Sequence, residues 1–243
     1  MVAGVAKLVF DIETSALPLA QFDAAQQEYL FRDALNLADP AARQARQEEI
    51  LRQFNLWPLT AQVVCIAMLN AESNRGKVLF VAEDCEESAA EPGAVEFTAC
   101  ADEGELLGEF WEVAKRYDSI VTFNGRGFDV PFVYLRSALL NVPVSRRDWL
   151  GYRYQVEPHC DLMEQLTFYG VSGRDGAARR FNLDFYCKAF GIDSPKSHGV
   201  TGMDINQMLA EKRFREIAEY CLRDVQATAL LYKIWKERLC GIK

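Results

Sequence analysis

Two carboxylates stand two residues apart in an apolar stretch near the start of the chain. Residues 8–14 are rich in β-branched and aromatic side chains, which is typical of a buried strand. Successive side chains of a strand point to opposite faces, so Asp11 and Glu13 share one face. Like charges this close raise each other's pKa, and Mg²⁺ prefers carboxylate oxygens. The pair therefore indicates either a metal site or a solvated strand edge or helix cap.

A second group of candidate residues follows a strand-like segment in the middle of the chain. Residues 124–132 place Gly125 and Gly127 between that strand and a helix, with Asp129 where the helix begins. Glycines let the backbone approach a ligand closely, and Asn124 offers an amide just past the strand end. Taken alone, the segment is equally compatible with a turn followed by Asp129 as a helix cap.

A third group lies near the C-terminus, where residues 214–232 predict one long helix. Tyr220 and Asp224 are four residues apart and so lie on one face of that helix. By themselves they could form an intrahelical hydrogen bond and nothing more. Beside a metal-binding pair of acids, the carboxylate would become a ligand and the phenol would position a water molecule.

Together the three groups resemble the three motifs of the DEDD superfamily of 3′-5′ exonucleases. Phe10–Thr14, Asn124–Asp129 and Tyr220–Asp224 match these motifs in the superfamily's order. Within it, the chain resembles the predicted exonucleases related to the proofreading domain of family B DNA polymerases. Glu219 stands where the histidine branch carries its base, so the resemblance is to the tyrosine (DEDDy) branch. Shorter stretches that resemble the same group are 62–66, 182–185 and 195–196.

The resemblance implies a metal-dependent phosphodiester hydrolase. Four acids would hold two divalent cations, Mg²⁺ or Mn²⁺, about 4 Å apart, and a tyrosine would orient the attacking water. The acids implied as metal ligands are Asp11, Glu13, Asp129 and Asp224, and the tyrosine is Tyr220. The chain's histidines, His159 and His198, lie outside these motifs, and His159 is interpreted as structural.

The implied substrate is the 3′ end of single-stranded nucleic acid, with DNA favoured over RNA by resemblance only. Thr14, Asn124 and Phe128 match substrate positions, where an aromatic face can stack on a base. Phe128 is equally plausible as a core residue. Lys196 stands on a loop marked by Pro and Gly and is either a phosphate contact or a solvated lysine.

Arginines cluster between the second and third motifs. Arg174, Arg179 and Arg180 surround Gly173 and Gly176. Arginine side chains can hold phosphates, and glycines would leave such a segment adaptable. The cluster is therefore either a grip on the strand backbone or an ordinary solvated face.

The elements that position these residues predict an α/β fold. Strand-like runs at 62–69 and 77–82, joined by a turn at 73–76, predict an antiparallel hairpin beside the first strand. Strands then alternate with helices, which favours a mixed sheet flanked by helices, ribonuclease H-like by resemblance. The predicted later elements are a loop at 83–93, a helix at 102–117, a strand at 119–123 and a helix around 133–136.

Segment 17–57 differs from the rest in its high content of Ala, Gln, Glu and Arg. Helix formers dominate it, so we expect helices on either side of Asp39 and Pro40. This helical insertion after the first strand either caps one face of the core or acts as a lid or guide for a substrate strand. With it, we expect a single exonuclease domain spanning residues 1–243.

Composition limits the remaining possibilities. The chain has 243 residues, a net charge of −8 and a pI near 5.0, so it carries no global basic field for nucleic acid. Seven cysteines without a Cys-x-x-Cys pair do not resemble a disulfide framework. No segment resembles a membrane span, and the short apolar N-terminus makes a poor signal peptide. We expect a cytoplasmic protein with no membrane partner.

Other functions remain compatible with parts of the pattern. They are a catalytically inactive nucleic-acid binding module, an RNA-directed exoribonuclease, a haloacid-dehalogenase-like phosphatase and a structural domain. The five expected side chains favour activity, Glu13 disfavours the phosphatase motif, and a structural domain would leave the order of three motifs to chance. A role in DNA repair or proofreading would require a separate polymerase or repair partner.

Overall fold

The computed structural model describes residues 6–82, 95–171, 173, 176–193, 202 and 204–242. The predicted loop at 83–93 lies outside the described residues, as do Arg174, Lys196 and His198. In the described part of the chain, no helix is both long and apolar enough to cross a membrane.

A six-stranded mixed sheet forms the centre of the molecule, with strand order β4-β3-β2-β1-β5-β6. β1 pairs antiparallel with β2, and β2 antiparallel with β3, whereas the β3–β4, β1–β5 and β5–β6 pairs are parallel. The hairpin and the mixed sheet predicted from the sequence are therefore confirmed. The strands are β1 Lys7–Ala16, β2 Ala61–Asn70, β3 Gly76–Val81, β4 Val95–Cys100, β5 Ser119–Thr122 and β6 His159–Asp161.

Helices pack on both faces of the sheet. They are α1 Ala24–Leu35, α2 Pro40–Gln53, α3 Glu103–Ala114, α4 Asp129–Leu139, α5 Leu162–Leu166, α6 Leu183–Phe190, α7 Ile205–Ala210 and α8 Phe214–Arg238. Short 3₁₀ turns occupy Leu19–Gln21, Phe54–Leu56 and Phe168–Gly170. The helices predicted at 102–117, around 133–136 and at 214–232 correspond to α3, α4 and α8.

Strand β1 separates two apolar layers because its side chains alternate. Leu8, Phe10 and Ile12 belong to the layer under α3 and α4. Val9 belongs to the opposite layer, which α8 covers, and Asp11 and Glu13 extend the strand on that same side. The register with β2 shifts between Glu13 and Thr14, so the strict alternation holds up to the second acid.

The segment after β1 forms the two expected helices. Asp23 caps α1 in a capping box with Gln26, and Asp39 caps α2 with Pro40 in its first turn. The two helices bury a small core of their own, which consists of Phe31, Ala34, Ile50 and Phe54. The hydroxyl of Thr14 donates to the Asn55 carbonyl at 2.8 Å and so attaches this insertion to β1.

Candidate metal centre

The two acids of β1 lie beside helix α8. The Cys221 thiol of α8 donates to the backbone carbonyl of Asp11 at 3.5 Å. Ligand atoms of Asp11, Glu13 and Cys221 lie within 4.8 Å of one another. The alternation of β1 therefore delivers both carboxylates to the helix that carries the third motif.

Asp129 joins them from the first turn of α4, where it is 2% exposed. Its Oδ1 accepts the backbone N–H of Ile12 at 3.1 Å, so this carboxylate holds the start of α4 against β1. Burial raises the pKa of Asp129 to about 7, and the charges of Asp161 and Asp224 add to that effect.

Tyr220 and Asp224 face the same acids from α8. The Tyr220 phenol is hydrogen-bonded to the Asp224 carboxylate, one helical turn away. Burial raises the pKa of Tyr220 above its usual range, and the charges of Asp224 and Glu13 raise it further. The phenol therefore stays protonated at neutral pH.

Four carboxylates thus lie close enough to repel one another, with Glu13 and Asp129 buried and Asp11 and Asp224 half-buried. Burial raises the pKa of Asp11 well above its ordinary value, and the charges of Asp129, Asp224 and Glu13 add to the effect. Burial also raises the pKa of Glu13, and the charges of Asp224 and Asp129 add to the effect. Hard divalent cations bind carboxylate oxygens and cancel such repulsion, so this donor set fits Mg²⁺ or Mn²⁺. The four acids assigned by resemblance are therefore electrostatically coupled in the fold.

Asp161 shapes the loop between β5 and α4. Its side chain accepts the backbone N–H groups of Asn124 at 3.0 Å and Arg126 at 2.9 Å, and it caps α5 through Met163 at 3.0 Å. A Cβ at Gly125 would lie 2.4 Å from the Thr122 hydroxyl oxygen, so the turn requires glycine there. Asp161 therefore positions Asn124, a role that the sequence pattern did not assign.

A cleft of about 270 Å³ opens onto two of the four acids, Asp11 and Asp224. Its lining residues are Asp11, Phe123, Asn124, Met163, Asn182, Leu183, Asp184, Tyr220 and Asp224. The sequence patterns gave no role to Phe123 or Met163, and they marked 182–185, at the start of α6, only as a stretch that resembles the family. Phe123 had a local signal, since it directly precedes the glycine loop, whereas Met163 and Asp184 enter the site only through tertiary packing.

The other predicted substrate residues differ in their placement. Asn124 lines the cleft. The Phe128 ring packs 5.3 Å from the Phe132 ring, and Thr14 is buried beneath the insertion, so neither residue is among those lining the cleft. Their substrate roles stay predictions, as does that of Lys196.

His159 is buried, and both of its ring nitrogens have partners outside the four acids. Its Nε2 lies 2.7 Å from the Thr122 hydroxyl and its Nδ1 3.1 Å from the Trp149 carbonyl. Burial lowers the pKa of His159 to about 3, so the ring is neutral at physiological pH. Both ring nitrogens are engaged in holding β5 and the segment before β6, which agrees with the structural interpretation.

The chain is similar to known proteins over most of its length. The family described as "Predicted 3'-5' exonuclease related to the exonuclease domain of PolB" matches residues 58–238. DNA polymerase 1 of Saccharolobus solfataricus is 23% identical over 178 residues, which cover 70% of this chain and 19% of the polymerase. An uncharacterized protein of Methanocaldococcus jannaschii is 30% identical over 153 residues, covering 58% of this chain and 78% of that protein.

A similar structure is that of the family B DNA polymerase from Pyrobaculum calidifontis. It aligns with a TM-score of 0.55 and 20% identity, over 96% of this chain and 25% of the polymerase chain. This likeness confirms the ribonuclease H-like fold class. The chain spans about a fifth of the length of the curated polymerases that it matches (19% for the S. solfataricus enzyme).

Proposed function

The chain belongs to the family of predicted 3′-5′ exonucleases related to the exonuclease domain of family B DNA polymerases, and from this membership we propose its reaction. It removes nucleotides from the 3′ end of single-stranded nucleic acid, DNA in preference to RNA, with two divalent cations. The observation that carries the proposal is the coupling of Asp11, Glu13, Asp129 and Asp224, brought together from three separate elements.

The four acids and Tyr220 have different roles in the proposed reaction. The four acids would hold the cations, Mg²⁺ or Mn²⁺; Glu13 and Asp129 are buried, whereas Asp11 and Asp224 line the cleft. When bound, the cations supply stabilisation of the developing phosphate charge and acidify the attacking water. The Tyr220 phenol, hydrogen-bonded to Asp224, would orient that water by a hydrogen bond.

Asn124 is the substrate contact that the geometry supports best. It lies at the cleft, and two N–H groups of its loop are held by Asp161, so its amide is presented from a rigid turn. A preorganised donor binds a terminal nucleotide with little loss of conformational entropy. Thr14, Phe128 and Lys196 complete the proposed set of substrate contacts.

Incubation of a 5′-labelled single-stranded oligonucleotide with Mn²⁺ tests the reaction. We expect a ladder shortened stepwise from the 3′ end, and loss of that ladder in Asp224→Asn. Glu219→Gln is the matched control, because Glu219 is exposed on the same helix and pairs with Arg215 at 3.0 Å. It should retain activity.

The same assay separates the alternatives. DNA and RNA strands of one sequence, run in parallel, distinguish the deoxyribonuclease from an exoribonuclease. Strand binding without shortening would identify an inactive binding module and refute the hydrolytic proposal. Equal activity of Asp224→Asn and the wild type would remove the four acids from the mechanism.

A further inference from the structure

A stack of aromatic and arginine side chains stands at the rim of the cleft. The rings of Phe181 and Phe185 lie 4.2 Å apart, with 13° between their planes. The guanidinium of Arg179 lies 5.3 Å from the centre of the Phe181 ring. We call Arg179, Phe181 and Phe185 the rim stack.

The rim stack is open to solvent. Phe185 is 53% exposed, and Arg179 and its neighbour Arg180 are exposed as well. Cys187, by contrast, is the side chain of α6 that is buried in the core. The fold therefore does not use the outer face of Phe185, which leaves a flat apolar surface near the positive charge that Arg179 places over Phe181.

Local structure fixes the position of this surface. The Asn182 side chain caps α6 by accepting the backbone N–H of Phe185 at 2.9 Å. The same cap places Phe181 and Phe185, four residues apart, on one side of the helix start. Phe185 is thus presented from a capped helix and is held by stacking on its neighbour.

The rim stack is continuous with the cleft. Asn182, Leu183 and Asp184, the residues between its two rings, line the cleft. Tyr186 also links the two features: its ring lies 6.2 Å from that of Phe181 and 5.8 Å from that of Phe123, which lines the cleft. The rim stack therefore borders the cleft along the start of α6.

Resting on the proposed function, we propose that the rim stack binds the single strand on the 5′ side of the nucleotide being removed. Phe185 stacks on a base, and Arg179 and Arg180 contact phosphates. Every base has a π-face, so this contact is tolerant of sequence, as an exonuclease that moves along its substrate requires. The two arginines provide local positive charge on a chain whose net charge is −8.

Two substrates separate the effect of the rim stack on strand binding from any effect on phosphodiester hydrolysis. One is a single-stranded oligothymidylate, and the other is the p-nitrophenyl ester of thymidine 5′-monophosphate, which has no strand beyond the scissile bond. Phe185→Ala should raise KM for the oligonucleotide about 5- to 150-fold, the range expected for loss of one stacked base, and leave ester hydrolysis unchanged. Phe97→Ala is the control, since Phe97 also lies under an arginine, with the Arg215 guanidinium 3.5 Å from its ring centre, and its edge strand β4 contributes no lining residue to the cleft.

Binding without turnover gives an independent measurement. In EDTA, fluorescence anisotropy should show weaker oligonucleotide binding by Phe185→Ala. Arg179→Gln should lower the slope of log Kd against log salt by about 0.7, the value for one phosphate contact on a single strand.

The outcomes separate the two proposals. If the wild type cleaves neither substrate, the proposed function fails, and anisotropy alone decides whether the rim stack binds a strand. A second outcome is that the wild type cleaves both substrates while Phe185→Ala and Arg179→Gln match it in KM and in binding. In that case the proposed role of the rim stack is wrong, and the proposed exonuclease activity is supported. Loss of ester hydrolysis in Phe185→Ala would also overturn it, because the residue would then act on the site itself.

Discussion

Replacing Asp129 by Asn should stabilise the protein when no metal is present. Asn keeps the oxygen that accepts the Ile12 N–H at 3.1 Å, and it removes the charge that burial and neighbouring acids disfavour. The substitution therefore changes the electrostatics of the site while preserving the bond between α4 and β1.

The size of the effect follows from the Asp129 pKa, which rises from 3.8 to about 7 on folding. The folded state binds more protons than the unfolded state between these values, so stability falls as pH rises through this window. Each tenfold change in a dissociation constant corresponds to about 1.4 kcal/mol, so ionising Asp129 costs the metal-free fold about 4 kcal/mol at pH 8. For a domain of this size, that corresponds to a rise in Tm on the order of 10 °C in the variant.

Urea unfolding in EDTA at pH 4 and pH 8 measures this difference. Asp129→Asn should match the wild type at the lower pH and exceed it at the higher. Asp148→Asn is the control of opposite sign, because Arg146 holds the pKa of Asp148 below its ordinary value. Saturating Mn²⁺ should raise the wild-type Tm more than that of Asp129→Asn. If the wild type and Asp129→Asn lost the same unfolding free energy between pH 4 and pH 8, burial would not raise the pKa of Asp129 and the prediction would be wrong.

Two further predictions concern the framework of the site. Arg136→Met should cost about 3–5 kcal/mol of unfolding free energy, since it leaves Glu103 buried without its partner at 2.9 Å, whereas Arg46→Met on the exposed α2 should cost about 1 kcal/mol or less. Equal urea midpoints for the two variants would contradict this. Asp161→Ala should lower the unfolding free energy by about 1–3 kcal/mol for each N–H group left unpaired, and should weaken nucleotide binding because Asn124 is released. An unchanged affinity would show that Asp161 does not position the loop.

Local sequence patterns predict which side chains share a face within a single strand or helix. The alternation in β1 predicted that Asp11 and Glu13 share a face, and the helical spacing of Tyr220 and Asp224 predicted their common side. Their convergence with Asp129 required the ordered motifs, because no local rule brings residues more than a hundred positions apart together.

The features that the sequence did not predict depend on contacts with residues distant in the chain. Strand β6 has three residues and is a strand because β5 pairs with it, and β4 is a half-exposed edge strand next to a segment read as a loop. Met163 and Asp184 line the cleft through the docking of α5 and α6. The Thr14 hydroxyl is engaged by the Asn55 carbonyl of the insertion, which the first motif alone cannot indicate.

The register of β1 makes the length of this strand more constrained than the identity of its residues. Exchange of one aliphatic side chain for another leaves Asp11 and Glu13 facing α8. Deletion of a single residue between Leu8 and Asp11 would turn both carboxylates into the apolar layer beneath α3 and α4, because the strict alternation persists as far as Glu13. Functional homologues should therefore differ by substitutions among the apolar residues of β1, but none should lack a single residue between Leu8 and Asp11.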